Sequence, residues 1–473
     1  MMKLRRKDGG CKAVKQTSDF SQGAVWRNIL QLALPMTFAQ LINVLYNVID
    51  RMYIGHIPDA AANALTGVGL TFPILSIITA FANLFGTGGA PLFSIARGRG
   101  DDREAGRIMG NTFALLLISG VTLTVAMLFF RKPLLYLFGA SDITFPYAND
   151  YVTIYLCGSI FVMIGLGMNN FINAQGFGRK GMMTVLLGAV INIVLDPLFI
   201  FTFQMGVKGA ALATILSQFV SAAWALVFLR GPKALIRLRS ADMRLKAARI
   251  RRITILGFSG FIMAITNSLV QIVCNATLQL FGGDLYVGVM TILNSVREVV
   301  MTPVSGLTSA AQPVMGYNYG AKRYRRVRSG IQFMSVVCMV YTTVTWLLLL
   351  LIPRVFIGVF TADAALITAA QPAMFIYFFG YFMMSLQMAG QAAAVALGRS
   401  KQAIFFSLLR KAVIVVPLTL ILPRVCGLGV NGVFLAEPIS NFIGGIACYA
   451  TMMCTIWAEM KRREREEAAS PPL

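Results

Sequence analysis

Gly206-Val207-Lys208-Gly209 opens one apolar stretch, and 223 residues later Gly429-Val430-Asn431-Gly432 opens another. The recurrence is not isolated. Pro91 and Gly98 return as Pro313 and Gly320, Gly178-Arg179 as Gly398-Arg399, and Pro197 as Pro417, all at offsets of 220 to 223. Apolar stretches of roughly 20 to 28 residues begin near positions 28, 64, 108, 148, 181, 207, 253, 285, 329, 366, 402 and 429, each long enough to cross a hydrocarbon core of about 30 Å. The pattern predicts an all-α, polytopic membrane protein whose twelve transmembrane helices form two pseudo-symmetric six-helix bundles. An even number of crossings per repeat gives both copies the same orientation, related by an axis along the membrane normal. A cleft between two such bundles suits alternating access.

Composition agrees, since 57% of the 473 residues are hydrophobic. The formal net charge of +23 sits in alternate loops, which points to a membrane surface and not to nucleic acid. The segment 230–252 carries nine basic residues, from Arg230 to Arg252, against the single acid Asp242. Lys322, Arg323, Arg325, Arg326 and Arg328 follow the eighth stretch, and Lys461, Arg462 and Arg463 follow the twelfth. The turns around His56 and Asp284 hold few. The positive-inside rule then makes both termini and the central loop cytoplasmic, with anionic lipid headgroups as partners of the charge. The expected divisions are a cytoplasmic tail over 1–27, an N-terminal lobe over 28–230, a basic linker over 231–252, a C-terminal lobe over 253–457 and a second cytoplasmic tail over 458–473. The linker is expected to lie on the inner surface, with a basic amphipathic helix near Met243 to Arg252. The basic N-terminus precedes a full span and is not read as a cleavable signal peptide.

Seven cysteines form no CxxC pair, and six of them lie in or beside apolar stretches, so they read as small core residues. One histidine, His56, offers almost nothing for a zinc site or a histidine-based triad. Gly86, Gly88 and Gly89 lack the Lys-Ser/Thr of a phosphate loop and read as a helix-packing surface or hinge. No metal and no cofactor is expected beyond a coupling ion.

Chemistry is expected at the intramembrane polar residues, because a charged side chain inside a span costs roughly 2.5 to 3.5 kcal/mol on insertion scales. Gln40, Asn43, Asn47 and Asp50 fall within an arc of about 80° on the first helix, and Asn43 and Asn47 are candidate substrate contacts. Asp50 is either an outer-end marker paired with Arg51 or a desolvated acid that takes up and releases protons near neutral pH. Asn192 and Asp196 share a face of the fifth helix, and Pro197, which cannot donate to the Ile193 carbonyl, predicts a kink beside the acid. Asn169, Asn170 and Asn173 of the fourth helix, with Thr214, Ser217 and Gln218 of the sixth, are candidate lining residues of the same bundle. The second half differs: Asp50 aligns with Asn275 and Asp196 with Val416. Its own charges are Arg297, Glu298, Arg410, Lys411 and Glu437. Arg297, Glu298 and Arg410 are candidate substrate contacts, with a salt-bridge network around Glu298 as the alternative. Met163, Met168, Met263, Met290, Met301, Met383, Met384 and Met388 are either core or adaptable ligand surface.

Tyr46-Asn47-Val48-Ile49-Asp50 with Gly55, the pattern Asn192-x-x-x-Asp196-Pro197, and Pro417 within a six-plus-six repeat together resemble the multidrug and toxic compound extrusion (MATE) family. The resemblance covers residues 26 to 457 and is nearest the DinF-like and MepA-like branch. It implies a monomeric antiporter of the bacterial cytoplasmic membrane that exports bulky, often cationic, amphipathic small molecules against a proton or sodium gradient. It also implies that Asp50, Asp196 and Asn192 form the cation-coupling site. Here Asn275 stands where the NorM-type branch carries its seventh-helix acid. Two other functions are weighed. A flippase for polyprenyl-linked saccharides would be favoured by a basic central cavity binding pyrophosphate, for which Arg297, Arg410 and Lys411 are the available residues. A polytopic membrane transferase finds one histidine and no paired-aspartate metal motif within the spans to work with.

Overall fold

The computed structural model describes residues 20–57, 61–361, 363–425 and 427–469. Most of the 1–27 tail, the end of the 458–473 tail, Cys11 and Cys426 therefore lie outside the described residues. All regular structure among them is helical. Ten helices are long and apolar enough to cross a membrane, and a pair bent by 56° supplies another. One of the ten, Ala247–Gly320, is two crossings in sequence, because Gly283 breaks it with φ 66° and ψ −166°. Twelve spans result. A left-handed φ of this kind strains any residue with a Cβ, which explains glycine at the break.

Spans 1 to 6 are Val25–Ile54, Ala61–Gly98, Asp102–Leu137, Phe145–Ala174, Gly178–Pro197 and Val207–Arg230. Spans 7 and 8 are the two parts of Ala247–Gly320, and span 9 is Tyr324–Leu351. Span 10 is the bent pair Ala364–Tyr377 and Phe382–Ala396, span 11 runs over Ser400–Arg424, and span 12 begins at Val430. The expected disturbance at Pro197 takes the form of a π-helical turn, Leu198–Thr202, directly behind it. Span 11 carries a π-helical segment too, Leu409–Val415, ahead of Pro417.

The repeat is visible in backbone geometry. Gly206 and Gly429 precede spans 6 and 12 with φ/ψ of 54°/−130° and 50°/−130°. The turn into span 11 uses Gly398 at φ 75°, and its counterpart is Gly176 at φ 92°, not Gly178, which is already helical. The true offset there is 222, because two glycines close together in sequence offered a false match. The lobes also meet symmetrically. A Cβ on Gly98 would overlap the Tyr317 carbonyl, and one on Gly320 the Ile95 carbonyl. Gly88 and Gly257 bring spans 2 and 7 together, as Gly306 and Thr37 do spans 8 and 1. These approaches lie in the half of the bundle nearest the linker.

Two straps cross between lobes at that end. The linker leaves span 6 and is held on the N-terminal lobe: Asn111 Nδ2 donates to the Asp242 and Arg244 carbonyls, each at 3.0 Å, and Asn111 Oδ1 accepts from Lys246 N at 3.1 Å. Gln175 bonds both backbone groups of Ile236. The segment before span 1 is held on the C-terminal lobe, where Asn318 and Arg326 donate to the Phe20 carbonyl. The expected amphipathic helix near Met243 is instead a short 3-10 turn, Ser240–Met243, and helix resumes only at Ala247, continuous with span 7. Arg249 there donates to both carboxylate oxygens of Glu104.

Candidate functional site

Span 1 carries Asp50 and span 5 carries Asp196, and folding the N-terminal lobe brings these carboxyls within hydrogen-bonding reach of one another. Asp196 is fully buried and accepts from Asn192 Nδ2 at 3.1 Å, and Asn192 in turn lies 3.5 Å from Thr214 Oγ1 on span 6. Asp50 Oδ1 and Asp196 Oδ2 are buried with no donor. Two carboxyls can hydrogen-bond to each other only when one holds a proton, so the arrangement is built to share one. Arg51 acts on the Asp50 charge from a distance but forms no ion pair with it, and its guanidinium stacks on Phe72 at 4.6 Å. Tyr46, Tyr151 and Tyr155 complete the surroundings.

Next to the pair lies a cavity of about 400 Å³, lined among others by Gln40, Asn43, Tyr46, Asn169, Asn170, Asn173 and Gln218. Asn169 Oδ1 and Asn173 Oδ1 are buried acceptors without a protein donor, so this wall offers oxygen to a ligand. A second cavity of about 250 Å³ lies between the lobes and shares Met36, Thr87, Asn170, Asn173 and Ser309 with the first. The two meet along these shared walls. Span 5 keeps the first open through small side chains at Gly181, Thr184, Gly188 and Ala189.

The C-terminal lobe is filled at the related place. Glu437, whose repeat counterpart is Thr214, accepts from Arg410 and from Lys411 Nζ at 3.0 Å, with Arg297 Nη1 at 3.4 Å. Tyr377, the counterpart of Tyr155, lies beside Arg297. The cations therefore converge on Glu437 and not on Glu298, which is exposed on span 8 and lines neither cavity. One helical position separates Arg297 from Glu298, and about 100° of rotation turns the acid away from the lobe interior. Arg297 and Arg410 line neither large cavity, and the space between the lobes has no basic side chain in its wall.

Of the proposed ligand contacts, Asn43, Asn169, Asn170, Asn173 and Gln218 share one cavity. Asn47 does not line it and bonds the Asn43 carbonyl at 2.7 Å. Among the methionines, Met263 and Met388 line the space between the lobes, whereas Met163, Met168, Met290 and Met301 are buried in the core. Sequence reasoning missed Tyr151 and Tyr155, Asn83 and Thr87, and Met36 and Met182. The four-residue spacing of the two tyrosines, and the recurrence of Tyr155 as Tyr377, were the available signals.

A family model described as MatE matches residues 35–198 and 259–421. The chain is 23% identical over 434 residues to the multidrug export protein MepA of Staphylococcus saprophyticus, covering 91% of this chain and 95% of that one. Against MepA of Staphylococcus haemolyticus identity is 22% over 435 residues, with the same coverage. Among solved structures, a multidrug resistance MATE family transporter of the MOP superfamily in its outward-facing conformation superposes with a TM-score of 0.88 at 23% identity, over 95% of this chain and all of that one. A MATE structure in the bent conformation gives 0.89 at 22% identity, over 97% of this chain and all of that one. At these identities the structures establish the fold.

Proposed function

Because this chain belongs to the MatE family, the multidrug and toxic compound extrusion transporters, we propose that it exports amphipathic, often cationic compounds in exchange for protons by alternating access between its lobes. It is a multi-pass membrane transporter and not an enzyme. One observation carries the proton reading: two carboxyls, Asp50 and Asp196, within hydrogen-bonding reach of each other, with Tyr46 standing between them and a cavity that holds the unpaired acceptors of Asn169 and Asn173. With a proton between them, the pair ties span 1 to span 5. Without it, two like charges in a low-dielectric setting repel, and the negative charge is available to a cation in the adjoining cavity. Proton and substrate then compete for one charge, which is the requirement of exchange.

The basic linker end is assigned to the cytoplasm of a bacterial cell by the positive-inside rule. Anionic headgroups are the proposed partners of the groove of about 660 Å³ in which Arg103, Arg237 and Arg239 outnumber Asp102 and Asp242. The transporter is taken to act as a monomer. Amides, hydroxyls and methionines around the space between the lobes support drug export over saccharide flipping, since a pyrophosphate group would meet no cation there.

Reconstituted vesicles test this directly. A pH gradient alone should drive uphill uptake of an aromatic cation, and a sodium gradient alone should not. Sodium-driven uptake without response to pH would reject proton coupling, and transport of a lipid-linked saccharide with no response to any cation would reject drug export.

A further inference from the structure

Arg297, Arg410 and Lys411 all ion-pair with the one carboxylate of Glu437. Glu437, Lys411 and Arg410 are respectively 5%, 6% and 3% exposed. Three cations facing one acid leave positive charge uncompensated within a membrane-spanning lobe, where unpaired charge is most costly. Arg410 also keeps its Nε buried without an acceptor.

A chamber of about 20 Å³ adjoins this cluster, with room for a single water-sized species. Its wall includes Arg297, Lys411 and the Glu437 carboxylate they pair with, together with the amides of Asn267, Gln271 and Asn294. Tyr377 Oη donates to Asn294 Oδ1 at 3.2 Å, which occupies the acceptor of that carboxamide and leaves its two N–H donors for the chamber. The wall therefore presents N–H donors and more cations than its one carboxylate, Glu437, can balance. We propose that this chamber is a binding site for one small inorganic anion, chloride or a similar halide, held between Arg297, Lys411 and the Asn294 amide.

Charge excludes a metal cation, and volume excludes phosphate or an organic acid. The site occupies the repeat counterpart of the carboxyl pair, since Glu437 corresponds to Thr214 and Tyr377 to Tyr155. One ancestral pocket thus holds opposite polarity in the two lobes. The anion balances the cluster and braces spans 8, 11 and 12 as a rigid unit against which the N-terminal lobe changes state.

Thermal unfolding of the purified protein, with sodium gluconate exchanged for sodium chloride at constant ionic strength, provides the test. Ligand that binds only the folded state raises stability with concentration, so Tm should climb by several degrees and saturate in chloride. Asn294→Asp places a negative charge in the chamber at nearly unchanged shape. It should abolish the chloride-dependent rise while leaving Tm in gluconate at or above that of the unsubstituted protein. Crystals soaked in bromide should show anomalous density between Arg297 and Lys411. No chloride-specific rise, an equal rise in the variant, or no bromide at that position would each overturn the site. Neither measurement involves transport, so the result stands apart from the export reading.

Discussion

Asp50 and Asp196 reach one another from spans 1 and 5 while each keeps one buried oxygen without a donor. A pair that shares a proton acts as a unit, so its members should not contribute additively. Asp50→Asn and Asp196→Asn should each insert normally and each abolish uphill export, and the double variant should be no worse than either single. Vesicle uptake at matched abundance checks it; strong uphill activity in either single variant would remove that carboxyl from coupling. Acidifying the substrate-loading side should slow export, because protons there compete with the cation for the same charge.

Gly257 packs its backbone against span 2, and a side chain there would drive into the Leu84 carbonyl. Backbone cannot yield as a flexible side chain does. Gly257→Val should cost about 1–3 kcal/mol from overpacking, or more if the lobes cannot part. It should also shift the resting state away from the present contact of spans 2 and 7. Cross-linking of a cysteine pair placed across that contact should fall relative to the parent, and unchanged cross-linking would show that the contact tolerates a side chain.

Asn111 makes three bonds to the linker, at Asp242, Arg244 and Lys246. Asn111→Ala leaves those backbone groups unpaired, at roughly 1–3 kcal/mol for a buried group left unsatisfied. Trypsin should then cleave faster at Arg244 and Lys246 while the spans stay intact. Equal cleavage rates would mean the strap is held by Glu104 and Gln175 instead.

Span count, the two-bundle repeat and the shared face of Asn192 and Asp196 were legible in the sequence, because each rests on local periodicity or on a repeat with a fixed offset. The pairing of Arg410 and Lys411 with Glu437 was not: 27 and 26 residues separate them from it, and Glu298 was an equally good acid on charge alone. Only the rotation of span 8 separates Arg297, which points to the lobe interior, from Glu298, which does not. The straps escaped for a different reason. Their bonds run from Asn111 and Asn318 to backbone carbonyls, which have no sequence signature.

Glu437 is the sole carboxylate in its cluster to receive ion pairs, so Glu437→Gln strands three cations. Removing one partner of a buried ion pair costs about 3–5 kcal/mol, which should appear as a large fall in Tm and in membrane abundance. Glu298→Gln, on the exposed face of span 8, should change Tm little. Similar losses for both would mean that Glu298 contributes to the cluster in a state other than this one.

Gly188 faces the cavity beside the carboxyl pair, and a side chain built there would meet Ser221 Oγ. A position 222 residues on places Arg410 in the C-terminal lobe, where no comparable cavity remains. Small residues on span 5 are therefore what keep the N-terminal space open for bulky ligands. Gly188→Leu should turn the Ser221 hydroxyl away from its bond to the Thr184 carbonyl, leave the carboxyl pair in place and reduce the cavity of about 400 Å³. Initial export rates of a large aromatic cation such as ethidium should fall about tenfold, equivalent to about 1.4 kcal/mol, while tetramethylammonium loses far less. The comparison separates size selection from coupling, because damage to the proton site would slow both cations alike. Equal losses would place size selection elsewhere, and no loss for ethidium would show that bulky substrates bypass the N-terminal lobe.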